Sequence, residues 1–173
     1  MKSVLKLLIV LFVFTSCQQE QKIAYVDRAE VINNYKAKLD IEERFKIKNE
    51  AFIKRRDSLI KNYEFERKEA SIKAQRMSQS EVQKLAQEYQ QREALLGQQL
   101  QYEQQVLQKE FDTELDSTIA KVKRYVQKYG KDNGYTFILG TSEATNTVMY
   151  GPEQKDISKE ILEGLNAAYD KKE

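Results

Sequence analysis

The sequence has no histidine and no tryptophan, and it has one cysteine and one proline among its 173 residues. Without histidine, a Ser–His–Asp or Cys–His catalytic arrangement is excluded. A single cysteine without histidine also leaves almost no way to build the usual zinc, copper or haem sites. A site made only of carboxylates stays possible, but no grouping of acidic residues suggests one. The composition therefore argues against an enzyme, and it indicates no cofactor.

The first residues have the pattern of a targeting segment for secretion. Lys2 and Lys6 are followed by an unbroken apolar run over residues 7–14. This run is too short to cross a bilayer as a helix, but it suits the core of a signal peptide. Small residues then precede Cys17, which resembles the lipidation signal of bacterial lipoproteins. We therefore predict a signal peptide over residues 1–16.

The same pattern predicts that Cys17 is lipidated and becomes the mature N-terminus. A lone cysteine has no partner for an internal disulfide, which agrees with this interpretation. The alternative is an ordinary secretory signal with a cysteine near its cleavage site. Residues 17–22 are polar and are expected to form a short tether. The predicted localisation is the periplasm, with a lipid anchor in a membrane and the outer membrane favoured.

The charge balance changes when the predicted signal peptide is removed. The full sequence has 29 basic and 27 acidic residues. The signal peptide contains Lys2 and Lys6 and no acid, so the mature chain has 27 of each and a formal net charge of zero. A neutral chain gives no reason to expect a nucleic-acid partner.

A long stretch of the chain is almost free of helix breakers. Between Asp27 and Tyr129 there is no proline and one glycine, Gly97, while Glu, Lys, Gln, Arg, Leu and Ala are abundant. This predicts two long helices with a turn near residues 77–81. Two capping boxes fit that turn, Ser78 with Glu81 and Ser80 with Gln83. Each arm would have roughly 45 residues and measure about 65–70 Å. A small domain cannot bury such helices, so they should pair with each other and project outward.

The two predicted helices carry opposite charge and a shared hydrophobic pattern. Residues 36–77 have a net charge of +5 and residues 81–115 a net charge of −4, so antiparallel pairing would bring opposite charges together. The second helix has a seam at three–four spacing, with polar interruptions at Arg92 and Glu103. The remaining seam positions are Leu85, Tyr89, Leu96, Leu100, Leu107, Phe111, Leu115, Thr118, Val122, Val126 and Tyr129. On the first helix, pairs at i,i+4 are expected to add local support; they are Asp40/Arg44, Glu42/Lys46, Glu50/Lys54, Asp57/Lys61, Glu64/Lys68 and Glu69/Lys73.

The rest of the chain, residues 23–35 and 120–170, is expected to form a small body beside the arm of residues 36–119. Short apolar runs predict three strands, at residues 23–26, 135–139 and 147–150, the last two joined by a turn over residues 140–146. Asp27 is a plausible N-cap for a helix, and Gly130 a plausible helix stop. A final amphipathic helix should open at Asp156, with Ile157, Ile161, Leu162, Leu165 and Ala168 on one face. This body is too small to be stable by itself, so oligomerisation is expected.

Taken in order, these parts resemble the Skp/OmpH-like proteins. The resemblance extends over residues 22–170 and lies in the sequence of strand, giant helical hairpin, further strands and helix. The residues that carry it are Ile23-Ala24-Tyr25-Val26-Asp27 with Val31 and Tyr35, Gly134-Tyr135-Thr136-Phe137-Ile138-Leu139, Val148-Met149-Tyr150, Asp156-Ile157-Ser158-Lys159-Glu160-Ile161-Leu162 and Leu165-Asn166.

The resemblance implies an α+β fold with a small sheet body and a long antiparallel coiled-coil arm, assembled as a jellyfish-like homotrimer. It implies an ATP-independent holding chaperone for unfolded outer-membrane or envelope proteins in the periplasm. The founding members are soluble and basic, whereas this chain is predicted to be lipidated and neutral. A role that depends on positive charge, such as lipopolysaccharide binding, is therefore not carried over.

Two sets of residues are candidates for contact with clients. Tyr63, Phe65 and Tyr102 lie where the seam is weak, so they could line a client cavity or pack between the arms. For Phe45 and Phe52, packing is favoured. Lys54, Arg55 and Arg56 could contact acidic clients or lipid headgroups, although a solvated helix face is the favoured interpretation.

Two alternatives to a chaperone stay open. One is a structural coiled-coil lipoprotein that acts as a spacer or scaffold in the envelope and binds no client. The other is an adaptor for one folded envelope partner. A spacer needs no strand body and benefits from a continuous seam, so the predicted body and interrupted seam favour the chaperone.

Overall fold

The structure is a computed structural model that describes residues 21–142 and 147–171. The predicted signal peptide, the lipidation site Cys17 and part of the predicted turn 140–146 lie outside the described residues. Within them the elements follow one another as β1 (Ile23–Asp27), α1 (Arg28–Asn34), α2 (Lys36–Ala74), α3 (Gln79–Asp132), β2 (Phe137–Thr141) and α4 (Ser158–Asp170). A single 3₁₀ turn, Glu153–Lys155, precedes α4.

The arm is a hairpin of α2 and α3. The 39 residues of α2 correspond to a length of about 58 Å. The helix ends at Ala74, slightly before the predicted turn, and α3 begins at Gln79. Of the two capping boxes that the sequence allows, the first is confirmed: the Ser78 amide donates to the Glu81 carboxylate at 2.8 Å, and the Ser78 hydroxyl accepts from the Glu81 amide at 3.4 Å. The turn is therefore fixed by local chemistry.

The two strands pair in parallel, with Ile23 opposite Phe137 and Asp27 opposite Thr141. The arm is thus the crossover connection between them. The other edge of β1 is occupied at Tyr25, whose carbonyl accepts a hydrogen bond of 3.0 Å from the Ile157 amide. The described residues hold this one sheet of two strands.

The predicted third strand at residues 147–150 is wrong. These described residues are not in a strand, and Met149 and Tyr150 are 93% and 89% exposed. A short apolar run has strand propensity, but it needs a neighbouring strand to pair with. Both edges of β1 are already used, one by β2 and one by Ile157, and residues 147–150 do not lie along the outer edge of β2, which pairs with no described strand. The expected hairpin after residue 139 is replaced by pairing with β1.

The predicted helix stop at Gly130 is also wrong, because α3 continues to Asp132. Gly130 is buried in the helix, where an added Cβ would lie 3.1 Å from the side chain of Ile138. Its lack of a side chain lets α3 pack closely on β2. The left-handed residue that accompanies the end of the helix is Gly134, at φ +69°.

The body is joined by hydrogen bonds where β1 meets α1 and α4. The predicted N-cap is confirmed, since the Asp27 carboxylate accepts from the amides of Ala29 and Glu30 at 2.8 and 3.0 Å. The Asp27 amide in turn donates to the hydroxyl of Ser158 at 2.8 Å. The Ser158 amide donates to Asp156 at 2.9 Å. One network therefore fixes the end of the strand and the starts of two helices.

The core of the body forms between the sheet, α1, α4 and the end of α3. Its buried members are Ala24, Val26, Val31, Tyr35, Ala37, Val122, Ile157, Ile161 and Leu165. The predicted face of α4 is confirmed at Ile161 and Leu165, while Ala168 is exposed. Because α3 contributes Val122 to this core, the arm is anchored in the body.

Candidate functional site: the helical arm

Ion pairs between the two helices set the register of the arm. From Arg44 to Lys48 the first helix advances four residues, while their partners go back four, from Glu114 to Glu110. Three of the pairs join a base of α2 to an acid of α3, as the charges predicted, and the fourth has the opposite sense. The pairs are Arg44–Glu114, Lys48–Glu110 at 2.8 Å, Arg55–Glu103 and Arg92–Glu66 at 3.4 Å. The predicted antiparallel arrangement is confirmed.

The predicted seam of α3 faces α2 along the arm, and its last members, Val122, Val126 and Tyr129, pack into the core of the body. Every seam residue except Arg92 is at least half-buried. Phe45 of the first helix is buried and packs edge-to-face against Phe111, with ring centroids 5.4 Å apart. Both polar interruptions, Arg92 and Glu103, pair with a charge on the opposite helix. The interruptions therefore fix register rather than opening the arm.

The local i,i+4 pairs predicted for α2 do not form. Among the described residues, Arg44 turns to Glu114 instead of Asp40, and Lys46 approaches Glu43 at 3.7 Å instead of Glu42. Long basic side chains on α2 reach the acidic helix beside them, so some of the expected local pairs give way to pairs between helices.

The two sides of the arm at mid-length differ in chemistry. Tyr102 and Val106 project from one side of α3, and with Ala51 and Phe52 they line a groove of about 460 Å³. The charged residues of this groove are paired with one another, as Lys48–Glu110 and Arg55–Glu103. Gln104 and Gln108 are rotated by about 200° from Tyr102 and Val106 at 100° per residue, so they lie on the other side. That side is lined by Glu42, Lys46, Asn49, Gln104 and Gln108 around Phe45, Leu107 and Phe111. We call the first side the apolar flank, defined by Ala51, Phe52, Tyr102 and Val106.

Sequence reasoning identified Tyr102 of the apolar flank as a candidate contact and assigned Phe52 to packing, but it missed Ala51 and Val106. Leu95, Tyr102 and Val106 repeat at spacings of seven and four, beside the seam and not within it, and all three are exposed. This second apolar repeat was the available signal. A helix that needs only one apolar stripe for pairing, yet carries a second one exposed, has a surface suited to contact with another molecule.

Of the three predicted aromatic contacts, Tyr63 is held between the helices. Its hydroxyl donates to the Tyr89 carbonyl at 2.9 Å and to the Glu93 carboxylate at 3.2 Å. Its ring lies 6.1 Å from that of Tyr89. Burial, together with the negative charge of Glu93, raises the pKa of Tyr63, so the hydroxyl remains a donor.

Phe65 and Tyr102 are open to solvent, at 62% and 66% exposure. They do not form one patch. Tyr102 belongs to the apolar flank, whereas Phe65 shares the outer face of α2 with Ile47 and Ile72, which are also exposed. By the register of the arm, the two aromatics are separated by about 14 Å along its length.

The basic cluster is largely engaged with acids. Arg55 pairs with Glu103 of the opposite helix, and Arg56 pairs with Asp57 at 2.8 Å. Lys54 is exposed and forms no ion pair with another described residue. The cluster therefore presents less free positive charge than its sequence implies.

The body has an exposed apolar surface of its own. Ile23, Phe137 and Leu139 lie on one face of the sheet and are all exposed. Next to β2, a groove of about 590 Å³ is lined by residues that include Val26, Ile119, Val126, Ile138 and Leu139. A body that leaves this much apolar surface uncovered is suited to association.

The described residues contain neither a candidate metal site nor a helix suited to crossing a membrane. No group of acidic or sulfur-bearing residues within 21–142 and 147–171 is placed to hold a metal ion. In the same ranges, no helix has both the length and the apolar character that crossing a membrane requires.

The fold defines a class of α+β protein in which a small sheet body carries a long helical hairpin. The family described as "Outer membrane protein (OmpH-like)" matches residues 22–165. The fold resembles the crystal structure, at 2.83 Å resolution, of a Caulobacter crescentus protein described as a "putative outer membrane chaperone (OmpH-like)". The TM-score is 0.73 at 14% identity, over 86% of this chain and 85% of that one. No curated protein matches the sequence.

The chain belongs to the OmpH-like family. The predicted fold class, a small sheet body with a long helical hairpin arm, is confirmed. The family is associated with the cell envelope, and its members act as chaperones of outer-membrane proteins and are generally not enzymes.

Proposed function

We propose that this protein is an ATP-independent holding chaperone that binds unfolded outer-membrane or envelope proteins in the periplasm. Membership of the OmpH-like family supports the general role. The observation that carries the proposal to this chain is the apolar flank, which is exposed although the arm does not need it for pairing. A spacer between envelope layers would have no use for such a surface.

The proposed contacts with clients are many and individually weak. Tyr102 and Val106 supply the apolar flank, and Phe65 supplies a separate exposed site on the outer face of α2. Tyr63 is held between the helices and is only partly exposed, so it is proposed as a minor contact. Dispersed contacts suit a holding chaperone, because a single strong hot spot would trap the client. Release then comes from handing the client on, or from its folding.

The test compares the two flanks of the same helix. Tyr102→Ser with Val106→Ser should weaken protection of a urea-denatured outer-membrane β-barrel protein against aggregation after dilution, measured by light scattering. The matched control is Gln104→Ser with Gln108→Ser, which alters two exposed positions on the polar side. Helicity by circular dichroism should be the same in both variants.

Three outcomes separate the alternatives. Loss confined to the flank variant supports the proposal. Equal protection by both variants would remove the apolar flank from client binding. A wild-type protein that gives no protection would favour the spacer, or an adaptor for one folded partner.

We also propose that the protein is held at a membrane, with the outer membrane favoured, through lipidated Cys17. The support is the sequence pattern before Cys17, together with the association of the family with the envelope. Cys17→Ala should abolish labelling by a fatty acid and release the protein from membranes. Unchanged membrane association of that variant would contradict the proposal.

We further propose a homotrimer held together by the body. Among the described elements, β2 pairs with another strand only on its β1 side, and the groove beside it is lined by apolar residues that include Ile119, Ile138 and Leu139. An open strand edge beside apolar surface favours pairing with another copy. The seam of the arm, in contrast, is satisfied within one chain.

Deleting residues 50–110 tests where assembly occurs. Lys48 pairs with Glu110 across the arm, so the cut ends lie close together and a short loop can join them. The shortened protein should remain an oligomer of the same number of subunits in multi-angle light scattering. A monomer, when the full-length protein is oligomeric, would place assembly in the arms.

A further inference from the structure

The chain enters the body at Lys22, beside the end of α3. The Lys22 carbonyl accepts a hydrogen bond of 2.8 Å from the Thr136 amide. The Lys22 ammonium donates to the Asn133 carbonyl at 3.0 Å and lies 4.1 Å from the centre of the Tyr135 ring. Three contacts thus fix the point at which the predicted tether ends.

This entry point lies at the end of the molecule opposite the hairpin turn. The 54 residues of α3 run from the turn at Ser78 to Asp132, a distance of about 80 Å. After Gly134 the chain reverses, so β2 and its parallel partner β1 both run from this end back toward the arm. We call the surface around Lys22, Lys131, Tyr135 and Phe137 the basal pole.

The tether is much shorter than the arm. Five residue steps separate Cys17 from Lys22, and a fully extended chain covers at most about 18 Å in five steps. An anchor at Cys17 therefore keeps Lys22 within that distance of the lipid surface. The tether does not limit the distance between the hairpin turn and the lipid surface in this way.

The basal pole has a composition suited to lipid headgroups. Lys22 and Lys131 are exposed, and the neighbouring acid Asp132 is paired with Lys128 at 2.5 Å. Phe137 is exposed beside them, and Tyr135 stacks on Tyr129 with ring centroids 6.1 Å apart. Basic and aromatic side chains of this kind are enriched where proteins meet the membrane interface.

We propose that the protein stands end-on at its membrane, with the basal pole against the phospholipid headgroups and the arm directed away from the lipid. This inference rests on the proposed lipidation of Cys17. The apolar flank, at mid-arm, then lies tens of ångströms from the bilayer. Clients are met in the aqueous compartment and not at the anchoring membrane.

The absence of tryptophan makes a single-reporter experiment possible. Phe137→Trp places a reporter at the basal pole, and Met77→Trp places one at the hairpin turn. The mature chain of each variant is coupled through Cys17 to a maleimide lipid in phosphatidylcholine–phosphatidylglycerol vesicles that contain a dansyl-headgroup acceptor. Coupling fixes the tether chemically, so the geometry is tested separately from lipidation in the cell.

Energy transfer falls steeply with distance, so the Phe137→Trp reporter should lose several-fold more of its fluorescence to the acceptor than the Met77→Trp reporter. Equal transfer from both reporters would mean that the arm lies along the membrane surface. Stronger transfer from the Met77→Trp reporter would mean that the hairpin turn faces the membrane. Either result overturns the inference. Circular dichroism verifies that both variants are folded. Chaperone activity is not the readout, so failure of the proposed function would not alter these results.

The same measurement on acylated protein isolated from cells completes the test. The same contrast between the two reporters supports the inference for the native protein. Wild-type protein that carries no acyl chain would overturn the lipidation on which the inference rests.

Discussion

Arg55 of α2 and Glu103 of α3 form an ion pair at the point where Glu103 interrupts the hydrophobic seam. Arg55→Glu should therefore place two carboxylates together and loosen the middle of the arm. The variant should lower the free energy of unfolding by less than about 1 kcal/mol, because the pair is partly exposed to solvent. Faster hydrogen exchange of the mid-arm amides would reveal it.

The reciprocal exchange provides the control for this pair. Arg55→Glu combined with Glu103→Arg should restore slow exchange, because the attraction is re-formed in the opposite sense. Lys54→Glu, next to Arg55 but on the exposed outer side, should have little effect. A double variant that exchanges as fast as the single one would show that the pair does not hold the register.

Holding of clients should depend more on aromatic than on basic residues of the arm. Replacing Tyr63, Phe65 and Tyr102 with serine should reduce protection of a denatured β-barrel protein more than neutralising Lys54, Arg55 and Arg56, because two of these three bases are already paired. Light scattering after dilution from urea measures both variants.

Salt provides an independent test of the same mechanism. At physiological ionic strength, exposed charges are screened beyond about 8 Å. A mature chain of zero net charge should therefore change its client affinity by less than about tenfold between low and several hundred millimolar salt, or about 1.4 kcal/mol. A steep loss of affinity with salt would indicate electrostatic capture instead.

Two glycines with open space around them should respond to alanine in opposite ways. A Cβ at either Gly97 or Gly134 would meet no atom within 4 Å. Gly97 is inside α3, so Gly97→Ala should stabilise the protein by about 0.5–1 kcal/mol. Gly134 has φ +69°, so Gly134→Ala should destabilise it by roughly 1 kcal/mol or more.

Urea unfolding of the two alanine variants measures both effects. Equal shifts of the midpoint in the same direction would show that backbone conformation is not the determining difference between these positions.

The hairpin turn should loosen in acid. Hydrogen bonds from the Ser78 hydroxyl and then the Ser78 amide hold the pKa of Glu81 below its usual value of 4.5. Because the folded-state pKa is lowered, the stabilisation is present above the unfolded pKa and is lost as the pH falls through the folded one. Hydrogen exchange of amides 79–82, relative to mid-arm amides, should therefore accelerate below about pH 4.5. Glu81→Gln should remove this pH dependence while keeping the helix.

The arm was predictable because its determinants are local. Periodicity identified the seam, and the Ser78–Glu81 pattern located the turn. The sequence predicted that a basic helix pairs with an acidic one, but it did not predict the individual ion pairs. Charge totals do not show that Arg44 pairs with Glu114 and not with Asp40.

The body was harder to predict, because strand pairing depends on residues far apart in sequence. Residues 147–150 have the composition of a strand, yet nothing in four residues tells whether an edge is available. Similarly, Gly130 resembles a helix stop until the contact with Ile138 shows why a glycine is needed inside the helix. Val106 escaped notice because it belongs to a second apolar repeat outside the seam, whereas its neighbour Tyr102 was identified from its aromatic side chain.

The parallel pairing of β1 and β2 has a consequence for the order of folding. The strands are adjacent in space but separated by residues 28–136, so their direct encounter in an unfolded chain carries a large loop-closure entropy. The helical hairpin can form first through contacts between nearby residues, zipping from the capped turn toward the body. A completed hairpin would bring the two strands together, so closing the sheet after it would carry little further entropic cost.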